Sequence, residues 1–343
     1  MVKIDKDNVL GSIEALPDQC LHAWEDAGKI EIPEEYKRVN TVVMCGMGGS
    51  GLGARVIESV YADEIKIPLV RINDYNLPKF VDKNTLVICS SYSGETEETI
   101  SNAKQAIDAG AKWMAIGTGN TLIKMAQEYG VPYYQINPKY NPSNQPRMAI
   151  GYSVVGQLVL ASKVGIINFQ KEDIDLMVET MHDVRDKIGE TKKLAKMMKD
   201  KIIFFLAARH LVGAAHTINN QLNENTKNFS ADFVIPELNH HLMEGLKYPS
   251  KNSSNLFAFL INSSLYPERI RQRFEITEDV IWKNKIESYS FEAKAETKLA
   301  QVFELVQFGA YVNFYLAMLY GQNPGPLPWV DYFKTKLGQP LGK

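Results

Sequence analysis

The chain has 343 residues, 45% of them hydrophobic and 23% charged, a composition that excludes a disordered chain and sets an expectation of about two domains. With 38 Lys and Arg against 40 Asp and Glu the net charge is −2, without the basic excess of a dedicated nucleic-acid binder. Cys20, Cys45 and Cys89 offer neither a disulfide framework nor metal-type spacing, no apolar run approaches the ~20 residues that span a bilayer, and the charged opening stretch does not read as a secretory segment, so a cytoplasmic protein without a membrane partner is expected.

Residues 1–40 read as helical, with a stop around Pro33. Short continuous apolar runs follow at 41–45, 67–70, 85–89, 113–116 and 131–134, the pattern of strands buried on both faces. Helix-like stretches at 52–61, 95–109 and 121–129 alternate with them, which predicts a doubly wound α/β unit. Residues 137–147, rich in Pro and Asn, read as an exposed loop. A charged, helix-periodic stretch at 171–201 reads as a connection, placing a boundary near 165 and two units at 1–165 and 166–343. The second half restarts with a strand at 202–207, a helix at 211–225, a strand at 255–261 and helices at 267–278 and 298–319. Its strand order resembles the first half, without a glycine-rich loop after the 202–207 strand.

Two loops carry the signal. Gly46-Met47-Gly48-Gly49-Ser50-Gly51 joins a strand to a helix, where glycines let backbone approach an anion and the helix start offers free N–H groups. Gly46, Gly48 and Gly51 also satisfy the dinucleotide pattern G-x-G-x-x-G, with Asp74 where a ribose-binding acid could sit. The second loop, Ser90-Ser91-Tyr92-Ser93-Gly94-Glu95-Thr96, again ends a strand and opens a helix. One N-cap needs one hydroxyl. Four hydroxyls with a glycine among them suit the three terminal oxygens of a phosphate monoester. A pyrophosphate needs only the first loop, so the pair favours a sugar phosphate over NAD.

Ser91-Tyr92-Ser93-Gly94-Glu95-Thr96 resembles the S-x-S-G-x-T phosphate loop of sugar isomerase (SIS) domains, and Gly48-Gly49-Ser50 resembles their first ligand loop. Pro146-Arg147, Asn223-Glu224-Asn225-Thr226-Lys227, Glu237-Leu238-Asn239-His240 and Val330-Asp331-Tyr332-Phe333-Lys334 extend the resemblance, in order, to the bifunctional phosphoglucose/phosphomannose isomerases. The resemblance implies two doubly wound parallel-sheet SIS-type domains in tandem. It also implies isomerisation of a sugar phosphate through a cis-enediolate, with no cofactor or metal required. Gly48, Gly49, Ser50, Ser91, Ser93 and Thr96 would hold the phosphate. Glu224 would shuttle the proton, His240 and Lys334 would serve ring opening, and Arg147 would stabilise the enediolate oxygen. A homodimer is implied as well, with His240 reaching the neighbouring subunit's site.

Read without the resemblance, Glu224 is a solvated helix glutamate, His240 a capped or core histidine, Lys334 a surface lysine and Arg147 an exposed loop charge. His22, His182, His210 and His216 read as structural. Two departures stand out. After Asn239-His240 the chain continues His241-Leu242, where the family commonly has Asn-Glu, and it has Asn323-Pro324-Gly325-Pro326 in place of Asp-Pro-Thr-Pro. The competing functions are a SIS-type module that senses a sugar phosphate without turnover and a dehydrogenase using the first loop alone.

Overall fold

The computed structural model describes residues 3–338. Strands β1 (Thr41–Cys45), β2 (Leu69–Ile72), β3 (Thr85–Ser90), β4 (Lys112–Gly117) and β5 (Tyr133–Gln135) form one sheet in the order β2-β1-β3-β4-β5, every pair parallel. Strands β6 (Ile202–Ala207), β7 (Ser230–Val234), β8 (Leu256–Ser263) and β9 (Glu287–Ala293) form a second, in the order β7-β6-β8-β9, again all parallel. The chain is therefore an α/β protein with two parallel sheets in tandem.

The central strands of the first sheet alternate between two cores. Val42, Met44, Leu86 and Ile88 face the large core that continues into the second half, and Val43, Cys45, Val87 and Cys89 face a smaller one on the opposite side. Burial on both faces explains why these strands have no polar alternation. Strands β7 and β9 have no apolar run, and the sequence reading missed both. They are the edges of the second sheet, and most of their residues are only half-buried or exposed.

Helices α1 (Val9–Glu14) and α2 (Leu16–Gly28) precede the first sheet, whose crossovers are α3 (Leu52–Val60), α4 (Glu97–Asp108) and α5 (Asn120–Glu128). Helices α6 (Ile150–Lys163), α7 (Lys171–Asp183) and α8 (Ile188–Met198) lead to the second. There follow α9 (Val212–Thr226), the short α10 (Leu242–Gly245) and α11 (Asn252–Asn255), then α12 (Glu268–Lys283), α13 (Lys298–Leu319) and α14 (Pro328–Leu337).

Two sequence expectations are corrected here. Residues 137–147 are an exposed loop only in part: Asn137, Lys139, Pro142, Asn144 and Pro146 are exposed, but Asn141, Ser143 and Arg147 are buried, with Ser12 Oγ donating to Asn141 Oδ1 at 2.9 Å. And α13 is long and apolar enough to cross a membrane by length and composition. Every residue from Leu299 to Ala317 is buried, because α7, α8 and α9 surround the helix. Its polar residues broke up the apparent run, and each has an internal partner. Gln301 Nε2 donates to the Ala295 carbonyl at 2.9 Å, and Glu304 Oε1 accepts from Lys187 Nζ at 2.8 Å. Gln307 Nε2 donates to the Ile13 carbonyl at 3.1 Å, and Asn313 Nδ2 to the Ile218 carbonyl at 3.0 Å. A helix that is apolar all round belongs inside protein as readily as inside lipid.

Candidate active site

The two glycine- and hydroxyl-bearing loops sit at the C-terminal ends of β1 and β3, which are neighbours in the sheet. Strand β1 lies between β2 and β3, so this is where the strand order reverses, the place at which open α/β sheets bind ligands. Ser50 lies in a 3-10 turn, Gly48–Gly51, that runs into α3. Its Oγ accepts from the Tyr92 N–H at 2.8 Å and so ties the loops together. Gln157 of α6 holds the Ser50 carbonyl at 2.9 Å. Gly94 has φ +75°, and a Cβ there would stand 2.0 Å from the Gly119 carbonyl oxygen, so only glycine fits.

The structure divides the four predicted hydroxyls. Ser91 is fully buried, and its Oγ accepts from the Gly94 N–H at 3.1 Å and pairs with Thr96 Oγ1 at 2.8 Å. It is the inner clasp of the loop. Ser93 is exposed, and Thr96 is half-buried at the start of α4. The acids beside them are tied elsewhere: Glu95 accepts from the Thr121 N–H at 2.9 Å and Glu97 from the Tyr75 hydroxyl.

Gly49 connects this pocket to the second cluster. A Cβ on Gly49 would meet the Pro146 carbonyl oxygen at 3.2 Å, which brings Arg147 against the first loop. Arg147 is 3% exposed and heavily bonded. Its Nε donates to Asn225 Oδ1 at 2.6 Å, one terminal nitrogen to Gln145 Oε1 at 2.9 Å, and the other to the carbonyls of Pro324 and Gly325, the latter at 2.7 Å. Four of the five guanidinium hydrogens are thereby committed. The nitrogen bonded to Gln145 also faces Glu224 Oε2 at 3.8 Å.

Glu224 stands on the last turn of α9, with Gln221 and Asn225 beside it on one helix face. Gln221 Nε2 donates to the Arg147 carbonyl at 3.0 Å. Burial raises the Glu224 carboxyl above its ordinary value, against the pull of Arg147, Lys227 and Lys334. Burial likewise works against the charge of Arg147, which Glu224 and Asp7 support. At 3.8 Å the pair is too long for a hydrogen bond and does not offset the desolvation of either partner. Lys227, in the left-handed conformation that ends α9, folds its ammonium over the Glu224 carbonyl and is pushed down to about 8 by partial burial and by Arg147. Sequence reasoning assigned no role to Gln145, Gln157, Gln221 or Lys227. The 221, 224, 225 spacing on one helix face was the available signal for Gln221.

Lys334 is exposed on α14 and acts on Glu224 as a nearby cation. His240 is placed apart. It is the last residue of a 3-10 turn, Glu237–His240, beyond the C-terminal end of β7, and is exposed. Glu224 lies at the other end: its neighbour Asn223 bonds both the N–H of Ser230, the first residue of β7, at 3.0 Å and the carbonyl of Ser230 at 3.2 Å. The length of β7 and its flanks separates His240 from Glu224 by roughly 15 Å or more. Asn239 fixes the turn on α12, accepting from Arg273 at 3.1 Å and donating to Thr277 Oγ1 at 2.8 Å. One chain thus brings the two glycine and hydroxyl loops, Arg147, Glu224 and Lys334 to one region, but not His240. Of the histidines read as structural, His210 bonds Gln301 at 2.8 Å and His216 bonds Asp232 at 3.0 Å.

Residues 187–337 match the family model described as bacterial phospho-glucose isomerase C-terminal SIS domain. The bifunctional phosphoglucose/phosphomannose isomerase of Caldicellulosiruptor bescii is 34% identical over 341 residues, covering 96% of this chain and 98% of that one. The protein of the same name from Aquifex aeolicus is 28% identical over 319 residues, covering 92% and 94%. Among solved structures, a hypothetical protein from Thermus thermophilus superposes with a TM-score of 0.75 at 16% identity, over 98% of this chain and 91% of that one, and so shares the fold. With a relative at 34% identity spanning nearly the whole of both chains, the chain belongs to the bifunctional phosphoglucose/phosphomannose isomerase family.

Proposed function

We propose that this protein interconverts glucose 6-phosphate and mannose 6-phosphate with fructose 6-phosphate through a cis-enediolate. The observation that carries the mechanism is the contact of Gly49 with Pro146, which supports a hydroxyl-lined anion pocket beside a buried arginine and its half-buried glutamate partner. Gly48, Gly49, Ser50, Ser91, Ser93 and Thr96 hold the phosphate, with Ser91 acting as the clasp. Glu224 takes the C2 proton of the open-chain aldose, the C–H electron pair forms the C1–C2 double bond, and O1 gains negative charge. The uncommitted N–H of Arg147 faces that charge. Transfer of the O2 hydroxyl proton to O1, with return of the proton from Glu224 to C1 and re-formation of a carbonyl at C2, gives the ketose. Return of the proton to C2 after the bound enediolate turns its other C2 face toward Glu224 accounts for the second aldose epimer.

Ring opening falls to His240, with Lys334 as the second group. Because His240 and Glu224 lie at opposite ends of β7, a second copy of the chain supplies the histidine. The apolar surface of α14, with Trp329 80% exposed and Tyr332, Phe333 and Leu337 also exposed, supports a homodimer. Residues 1–165 carry the phosphate loops and 166–343 the proton chemistry, as two domains. A cytoplasmic location and a place in glycolysis or gluconeogenesis accord with these substrates. The test is a coupled assay with fructose 6-phosphate that reads glucose 6-phosphate and mannose 6-phosphate separately. Formation of both is expected. Tight binding of fructose 6-phosphate without either product would instead make the protein a sugar-phosphate sensor.

A further inference from the structure

We propose that Asp7 is a positioning residue for Arg147, locking the 323–326 turn whose backbone carbonyls aim the guanidinium at Glu224. This role rests on the isomerase reading above. The observations form a chain of contacts. The carbonyls of Pro324 and Gly325 both accept from one terminal nitrogen of Arg147. Gly325 N–H donates to Asn323 Oδ1 at 3.2 Å, and Asn323 Nδ2 donates to Asp7 Oδ2 at 2.7 Å. One amide therefore links the carboxylate to the turn.

Space makes the link specific. A Cβ on Gly325 would stand 2.1 Å from Asp7 Oδ2, 2.5 Å from its Cγ and 2.8 Å from its Cβ. The whole Asp7 side chain fills the room that a residue with a side chain at 325 would need. This accounts for glycine at the position where the chain departs from the family pattern. Asp7 also supplies negative charge to Arg147, which is nearly fully buried. The other counter-charge, Glu224, becomes neutral whenever it carries the substrate proton, and Asp7 then keeps the guanidinium compensated. Charged groups acting on Glu224 are Arg147, Lys227 and Lys334, and those supporting Arg147 are Glu224 and Asp7.

The test starts from wild-type turnover of fructose 6-phosphate. If the wild type gives no aldose, the isomerase reading fails and the role of Asp7 falls with it. Given turnover, Asp7→Ala lowers kcat about tenfold and leaves KM within about twofold, because the phosphate loops are untouched. Release of Arg147 removes a cation that lowers the Glu224 pKa, so the acid limb of kcat/KM moves to higher pH. Asp7→Asn keeps an acceptor for Asn323 and recovers part of the lost kcat. Gly325→Ser costs about tenfold in the wild type and nothing further in the Asp7→Ala chain, a coupling expected only of residues sharing one space. Circular dichroism and Tm establish that each variant folds. Should Asp7→Ala not fold, Asn323→Ala cuts the same link and must show the same loss and the same shift. Wild-type kcat and an unmoved limb in Asp7→Ala or Asn323→Ala, or additive losses in the double variant, overturn the role.

Discussion

As the proposed base, Glu224 must be a carboxylate strong enough to pull a proton from carbon and weak enough to give it back. Burial raises its pKa while Arg147, Lys227 and Lys334 hold it down, and the balance leaves it above the ordinary glutamate value. The proposed base works only when deprotonated, so the acid limb of kcat/KM is expected above the ordinary glutamate value. Lys227→Met removes one of the three cations, so that limb moves to higher pH, and a pH–rate profile measures it. Glu224→Gln keeps the shape and loses the basicity. A fall of about 10²–10⁴-fold is expected in kcat and kcat/KM alike, with KM little changed. Exchange of the C2 proton of glucose 6-phosphate with deuterated solvent, followed by NMR, stops in the same variant. Normal exchange in Glu224→Gln would move the base elsewhere, with Glu244 the first candidate. The sequence marked Glu224 and Arg147 only through the family resemblance. Nothing local relates them, because their partnership is made by α9 meeting the 145–148 turn through Gln221 and Asn225.

At the scale of elements, the two glycine and hydroxyl loops were the most legible part of the chain. Glycine and hydroxyl clusters between an apolar run and a helix have few other physical uses, and the strand order puts them side by side. Gly94→Ala tests how rigid the second loop must be. Positive φ and a 2.0 Å approach to Gly119 leave no room for a methyl group, so the variant loses about 2 kcal/mol or more of stability in denaturant titration and its KM for fructose 6-phosphate rises. What the sequence hid has a common cause. Strands β7 and β9 are sheet edges with one or both faces near solvent, so they carry no buried-strand run. The 137–147 segment looked like surface because Pro and Asn mark turns, and alternate residues are exposed, yet Asn141 is held inside, its Nδ2 donating to the Tyr92 hydroxyl at 3.0 Å and to the Gln145 carbonyl at 3.0 Å. In α13, polar residues interrupted the apolar pattern although each is bonded within the core.

For the whole molecule, the second sheet sets a geometric constraint on the proposed mechanism, which the proposed dimer would meet. An α-helix crossing back from β6 to β7 must end where β7 begins, so Glu224 at the end of α9 and His240 beyond the end of β7 stand apart in one chain. The exposed aromatic residues of α14, together with Phe229 and Tyr248, are surface that association would cover. The most direct measurement is complementation between two inactive chains. Glu224→Gln and His240→Ala proteins are unfolded, mixed in equal amounts and refolded, and the formation of mixed dimers is confirmed by native mass spectrometry. Half of the dimers are then mixed and one of their two sites is intact, so about a quarter of wild-type turnover should return. Confirmed mixed dimers with no recovered activity would contradict the shared site and would require each chain to supply its own histidine.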